Sequence, residues 1–310
     1  MSSKHFSKTC TGTATRNHDQ SLPPALEHTD PLSTSDRARL TPYELVFTEG
    51  DFESRIFPRI RTEAREQDVD ARRRERFDFL STAGEVIREL TPEDADPDAL
   101  EQYRATLYHA YHFWSGGKRL YTLTTGVARY LVEAAPRLEG WDFTLPGESV
   151  YLQLPANLFW SSITPQTPPE PVDGFFLTMS EVTDPLGSPA GLLEVLLVLG
   201  IRRSRAGFSV IALNSATGSD ISEAWDAESR PGGDFANTLP GGEIAGLYTL
   251  LTAGEVLKLV GRACWYIDHF PEALEDVPPL DELGADETIP GTRLAHVRVT
   301  LFRDQEVGPE

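Results

Sequence analysis

The sequence lacks any apolar run of the roughly 18 residues that a helix needs to cross a bilayer. Its first ten residues, MSSKHFSKTC, also lack the apolar segment of a secretory signal peptide. Cysteine is nearly absent, with Cys10 in a polar stretch and Cys264 in an apolar one, so we expect no structural disulfide and a reducing compartment. These absences predict a soluble, cytoplasmic protein that does not insert into membranes.

Lysine is scarce, since only four of the 28 basic residues are Lys, a pattern typical of GC-rich coding or of salt adaptation. Acidic residues number 48, which gives a formal net charge of −20. Such a chain repels phosphate backbones and anionic lipid, so neither nucleic acid nor a membrane surface is an expected partner. This charge balance suits either solubility or a basic partner.

The motifs of several large enzyme classes are missing. The sequence has no G-x-S-x-G nucleophile elbow, no G-x-x-x-x-G-K-[ST] or G-x-G-x-x-G phosphate loop, no H-E-x-x-H and no paired C-x-x-C. Because many active sites assemble from distant residues, these absences leave open whether the protein is an enzyme. No cofactor is expected, with a divalent metal as the alternative.

Residues 1–40 are rich in Ser, Thr, Asp and Pro without apolar periodicity, which predicts a disordered N-terminal arm. We expect a single domain over 41–305. Its first part, about 50–135, is predicted to be helical, and in 99–117 apolar residues at spacings of three and four form one stripe before Gly116-Gly117. Short strands are expected at 119–124 and through the β-rich part, about 145–215.

Two segments dominate the rest of the chain. Leu192 to Ile201 is almost wholly apolar and predicts a buried strand that forms a hairpin with 208–213. Residues 214–243 are rich in Gly, Ser and Asp and predict a flexible loop. Residues 244–270 are apolar on nearly every side, which predicts a long buried helix, and a final strand is expected at 293–303. Together these features predict an α+β fold, with a mainly antiparallel sheet packed against the long helix and further helices N-terminal to the sheet.

Four residues could bind a metal. His109 and His112 lie three residues apart on the helix that ends near Trp114, so both could reach one ion. Asp268 and His269, near the end of the long helix, could add ligands if the two helices meet. The alternative is that the histidines make hydrogen bonds or contact water.

Aromatic residues and one turn supply the remaining candidates. Tyr111, Trp114, Trp160 and Trp265 could line a ligand pocket, or could pack in the core. Asp173 precedes a predicted strand and, like Asp268, is a candidate catalytic carboxylate; Glu170 lies in the same turn, which a rigid connection explains equally well.

Two functions are compatible with these observations. The first is a non-catalytic protein that binds an unknown protein or small ligand, which fits the acidic composition and the missing motifs. The second is a metal-dependent or acid/base hydrolase that uses His109, His112, Asp268 and His269.

Overall fold

Helices flank a sheet of ten described strands in the computed structural model of this chain. All the residues that the structure describes fall in one unit, Leu32–Glu310, and the predicted arm 1–40 lies outside them except for 36–40. The described residues are 36–48, 51–66, 84–91, 96–133, 138, 141–163, 167–183, 189–202, 207–217, 242–244, 248–251, 253–279 and 291–302.

The described α-helices are α1 Pro42–Val46, α2 Phe57–Glu66, α3 Gly84–Leu90, α4 Pro97–Ser115, α5 Thr125–Glu133 and α6 Ala253–His269. Their ends follow local sequence signals. Thr41 and Glu44 form a capping box at the start of α1, each side chain accepting a hydrogen bond from the backbone N–H of the other residue. α4 ends at a left-handed Gly117, with φ of 90°, as its Gly-Gly pair predicts.

The strands are β1 Arg119–Leu123, β2 Ser149–Gln153, β3 Phe159–Ser161, β4 Glu170–Thr183, β5 Pro189–Arg202, β6 Gly207–Thr217, β7 Gly242–Ile244, β8 Tyr248–Leu250, β9 Leu274–Val277 and β10 His296–Val299. They are paired in the order β7-β8-β3-β4-β2-β1-β10-β9, and β5 joins β4 to β6. The α+β class is confirmed. The sheet is mixed, since the described pairs β1–β2, β1–β10 and β3–β8 are parallel and the other six are antiparallel.

The two faces of the sheet bury different helices. One face carries Leu120, Phe176 and Leu196 and packs against α1, α2 and α4. The opposite face carries Leu152 and Phe175, among others, and packs against α5 and α6. Alternate residues of β2, β4 and β5 point to opposite faces, as the period of two in a strand requires. The sheet therefore separates the N-terminal helices from α6.

Several predicted boundaries are wrong. The helix predicted over 244–270 begins only at Ala253, because the residues before it form β7 and β8. This helix buries Val256, Val260 and Ile267, but it exposes Asp268 and His269, so it is not enclosed on every side. The strand predicted over 293–303 ends at Val299, and Leu301, which lies beyond it, is 45% exposed.

The loop predicted over 214–243 is shorter than expected at both ends. β6 continues to Thr217, and β7 begins at Gly242. Residues 218–241 lie outside the described residues. The predicted hairpin is confirmed, since β5 and β6 pair antiparallel over most of their length.

Candidate functional site

The C-terminal end of α6 carries a group of aromatic rings in mutual contact. Trp265 and His269 are stacked with ring centroids 4.9 Å apart, and the centroids of Trp141 and His269 lie 6.4 Å apart. Phe270 contacts Trp265 on one side and Phe302 on the other, at 5.6 Å each. We call this group the aromatic surface: Trp141, Phe143, Trp265, His269, Phe270 and Phe302.

The segment after β10 completes the aromatic surface. Tyr266 donates its hydroxyl proton to the carbonyl oxygen of Thr300 at 3.0 Å, and its oxygen accepts the backbone N–H of Phe302 at 2.8 Å. These bonds hold the segment against α6, yet Leu301 and Phe302 are 45% and 41% exposed. Large apolar side chains exposed next to one another mark interaction sites more often than isolated ones do.

Two polar side chains lie among these rings. The indole Nε1–H of Trp141 donates to the carboxylate of Asp268 at 3.2 Å. The Nδ1 of His269 lies 2.9 Å from the carbonyl oxygen of Trp265, which can only accept, so Nδ1 carries the proton. The Asp268 side chain is 54% exposed, and its negative charge therefore stands at the rim of the aromatic surface.

The surroundings of the aromatic surface are acidic. Asp142, Asp268 and Glu272 are exposed, and each is close in sequence to one of the rings. Between Arg262 and Arg293 the sequence contains eight acidic residues and no Lys or Arg. The aromatic surface thus combines partly exposed aromatic side chains with neighbouring acidic residues, an arrangement that attracts cations.

The structure does not bring the four predicted metal ligands together. His109 and His112 are buried on α4, which packs on one face of the sheet, whereas Asp268 and His269 are exposed at the end of α6 on the other face. Within the part of the chain that the structure describes, no group of three His, Cys, Asp or Glu side chains is placed to hold a metal ion.

His109 belongs instead to a buried polar network under α4. Its Nδ1 lies 3.1 Å from the hydroxyl of Thr178, which lies 3.0 Å from the hydroxyl of Ser149. The neighbouring Tyr108 donates its hydroxyl proton to the buried carboxylate of Glu194. These bonds connect α4 to β2, β4 and β5. Sequence reasoning missed Glu194, although it is the only charged residue in the apolar run 192–201.

His112 is also buried on α4. Its ring lies 4.4 Å from that of Tyr108 and 5.2 Å from that of Tyr111. Both His109 and His112 are buried, so neither ring lies at the protein surface.

Asp173 is an anchor point for the N-terminal segment. Its carboxylate accepts hydrogen bonds from Arg39 Nε and Nη2 at 3.1 and 2.8 Å, from the Tyr151 hydroxyl at 2.6 Å and from Gln153 Nε2 at 3.2 Å. Burial and this carboxylate together hold the pKa of Tyr151 well above its usual value. Four donors occupy the four lone-pair positions of a carboxylate, so Asp173 holds residues 36–40 on the sheet.

The predicted pocket residues fall into separate groups. Tyr111 and Trp114 are neighbours on α4, with ring centroids 6.1 Å apart, whereas Trp160 and Trp265 lie on other elements. Tyr111 is buried against Phe57, and Trp114 carries the guanidinium of Arg61 at 4.1 Å from its ring centroid. Trp160 lies on β3, and Trp265 belongs to the aromatic surface. These four side chains therefore do not line one pocket.

The aromatic surface includes residues that the sequence did not single out. Trp141 and Phe302 were not among the candidates, because each is far in sequence from the residues of α6 that it joins. Cys264 is a free, buried thiol whose burial raises its pKa to about 12.

Comparison with models of known protein families, with curated proteins and with solved structures finds no match. Among the described helices, none has the length and apolar character that crossing a membrane requires.

Proposed function

We propose that this protein is a non-catalytic binding protein whose aromatic surface docks a basic segment of a partner protein. The observation that carries the proposal is the contact chain of rings from Trp141 to Phe302 beside the exposed carboxylate of Asp268. Lys or Arg side chains of the partner would lie over the indole and imidazole faces, where each cation–π contact contributes about 0.5–2 kcal/mol. Apolar side chains of the partner would cover Leu301 and Phe302.

Charge supports the choice of a basic partner. The net charge of −20 attracts a cationic segment over long range, and the local acids Asp142, Asp268 and Glu272 orient it at the surface. The same charge argues against nucleic acid and anionic membranes as partners. We further infer a cytoplasmic location, which the scarcity of cysteine favours.

The hydrolase alternative has little support, because His109 and His112 lie on one side of the sheet and Asp268 and His269 lie on the other. His109 is hydrogen-bonded within a buried network, and His269 is stacked on Trp265.

Selection from a random peptide display library on the immobilised full chain tests this proposal. We expect the enriched peptides to contain Lys or Arg next to aromatic or aliphatic residues. A synthetic copy of an enriched peptide should quench or shift tryptophan fluorescence, since Trp141 and Trp265 lie in the site. Its binding should weaken between about 0.1 M and 1 M salt, which shortens the Debye length from about 10 Å to about 3 Å.

A matched pair of double variants provides the control. Asp268→Asn with Glu272→Gln removes two charges at the aromatic surface. This double variant should weaken binding of the peptide about tenfold, or about 1.4 kcal/mol. Asp51→Asn with Glu89→Gln removes two exposed charges on the α2–α3 side and should leave binding unchanged. Enrichment of acidic or uncharged peptides, or equal weakening by both double variants, would contradict the proposal.

A further inference from the structure

A groove lies where strands β1 and β10 begin and strand β9 ends. It is at the end of β9 that is farther from the aromatic surface. Strands β1 and β10 are parallel, and β9 is antiparallel to β10. The groove has a volume of about 550 Å³ and includes Arg119, Tyr121, Asp276 and Val297 in its lining. This volume is in the range of pockets that hold small molecules.

Strand register places a cation and an anion on the same side of this groove. Val297 of β10 pairs with Tyr121 of β1 and with Asp276 of β9, so these three side chains share one face of the sheet. Arg119 precedes Tyr121 by two residues and lies on that same face. From strand spacing and rise, the backbones of Arg119 and Asp276 are about 12 Å apart, with Tyr121 and Val297 between them.

Arg119 is oriented by the loop that precedes β2. Its Nη1 donates to the carbonyl oxygen of Pro146 at 2.9 Å, and the Tyr121 hydroxyl donates to the same oxygen at 3.3 Å. The bond from Nη1 uses one of the five guanidinium N–H groups, and a second hydrogen bond links the guanidinium to the Tyr121 side chain. The remaining N–H groups are left to bind a carboxylate.

Arg119 and Asp276 do not form an ion pair with each other. Among the residues that the structure describes, neither forms an ion pair with another side chain. Lys118, the other basic residue in the lining of the groove, differs from Arg119 because it forms an ion pair. Its Nζ lies 3.1 Å from both carboxylate oxygens of Glu53, so its charge is already compensated. Among the described residues that line the groove, Arg119 and Asp276 are therefore the charged groups that a ligand can pair with.

We propose that the groove binds a small zwitterion of the amino-acid or dipeptide class. Its carboxylate binds the guanidinium of Arg119, its ammonium group binds Asp276, and its apolar part covers Tyr121 and Val297. A simple anion would be repelled by Asp276, and a simple cation by Arg119. A neutral apolar ligand would desolvate both charges without compensation.

Titration calorimetry and NMR chemical shifts, in a buffer free of amines and carboxylates, test the ligand chemistry. The probes are valine, valyl-valine, N-acetyl-valyl-valine and valyl-valine amide. We expect one of the two zwitterions to bind and the two blocked dipeptides to bind at least about tenfold more weakly, since each lacks one charge-assisted contact. Preference for valine or for valyl-valine identifies the length of the ligand.

Variants test the two residues. In Arg119→Gln, amidation of the ligand should no longer change affinity, and in Asp276→Asn, N-acetylation should no longer change it. Arg129→Gln and Glu275→Gln are the matched controls and should retain the preference for zwitterions. Equal binding of blocked and free dipeptides to the unmodified protein, or no binding of any probe, would overturn the proposal without reference to any variant.

Discussion

The indole N–H of Trp141 donates to the carboxylate of Asp268, which is 127 residues later in the chain, at 3.2 Å. This bond connects the segment before β2 with the end of α6. It also holds the Asp268 carboxylate against the edge of the Trp141 indole ring, which contacts the ring of His269.

The first prediction concerns this pair. Trp141→Phe retains an aromatic ring but removes the N–H donor and offers a weaker π face. Affinity for a basic peptide should fall about threefold. The free energy of unfolding in urea should change by less than about 1 kcal/mol, because the bond is exposed. An unchanged affinity would show that Trp141 lies outside the binding surface.

The second prediction concerns the buried ion pair of Arg39 and Asp173, whose side chains are 12% and 8% exposed. Removing one partner leaves the other charge buried and unpaired, a change that costs about 3–5 kcal/mol. Arg39→Ala and Asp173→Asn should therefore each lower the midpoint of urea unfolding strongly. Arg59→Ala breaks an exposed pair with Glu89 and should have little effect. If the Arg39 and Arg59 variants were equally stable, residues 36–40 would not be anchored as described.

The third prediction concerns the pH dependence of stability. Burial lowers the pKa of His296 from its usual 6.5, Arg298 lowers it further, and Glu44 and the backbone oxygen of Leu294 act in the opposite direction. The unfolded chain then binds a proton at a higher pH than the folded chain does. Stability should therefore be full above about pH 6.5 and should decrease as the pH falls from there towards the lowered pKa of the folded state.

His296→Gln removes this titration. Urea unfolding of the variant between pH 8 and pH 5 should show a smaller loss than the unmodified protein shows over the same range. A difference between the two proteins that stays constant over this range would contradict the assignment to His296.

The fourth prediction concerns Gly174, which lies at the β-bulge where β4 pairs with β2 and β5. A Cβ atom there would lie 2.3 Å from the carbonyl oxygen of Leu152. Gly174→Ala must displace backbone, so we expect a loss of ~3 kcal/mol or more in the free energy of unfolding. Gly84→Ala at the start of α3 meets no atom within 4 Å and should be neutral or slightly stabilising. Thermal and urea unfolding of both variants provide the comparison.

Sequence patterns predicted the long elements well. The β-rich part expected over about 145–215 contains β2 to β5 and most of β6. The continuous apolar run 192–201 identified β5, because a strand buried on both faces has no polar side. The helix predicted from residue 244 was wrong at its start, since short apolar strands have the same composition as a buried helix. Pairing with β3 makes this segment a strand and not a helix. The backbone N–H of Leu251 donates to the backbone carbonyl oxygen of Trp160 at 2.8 Å. No local signal encodes that contact.

The candidate site was predicted in part for the same reason. Trp265, Asp268 and His269 were named from residue type and helical spacing, and they are neighbours on α6. The contacts of Asp268 and His269 with Trp141, and of Phe270 with Phe302, join segments more than 30 residues apart, which spacing cannot reveal. His109 was named as a metal ligand because of its type, but its neighbours Thr178 and Ser149 come from two strands whose pairing the sequence did not fix.

The parallel pair β1–β10 has a consequence for synthesis of the chain. β10 lies between β1 and β9, and it is the last strand that the structure describes. During translation, β2 follows β1 closely, but more than 170 further residues must be synthesised before the other neighbour of β1, which is β10, emerges from the ribosome. Pairing over so long a separation is slow to form. The exposed edge of the nascent β1 is therefore the place where we expect chaperones to be needed most.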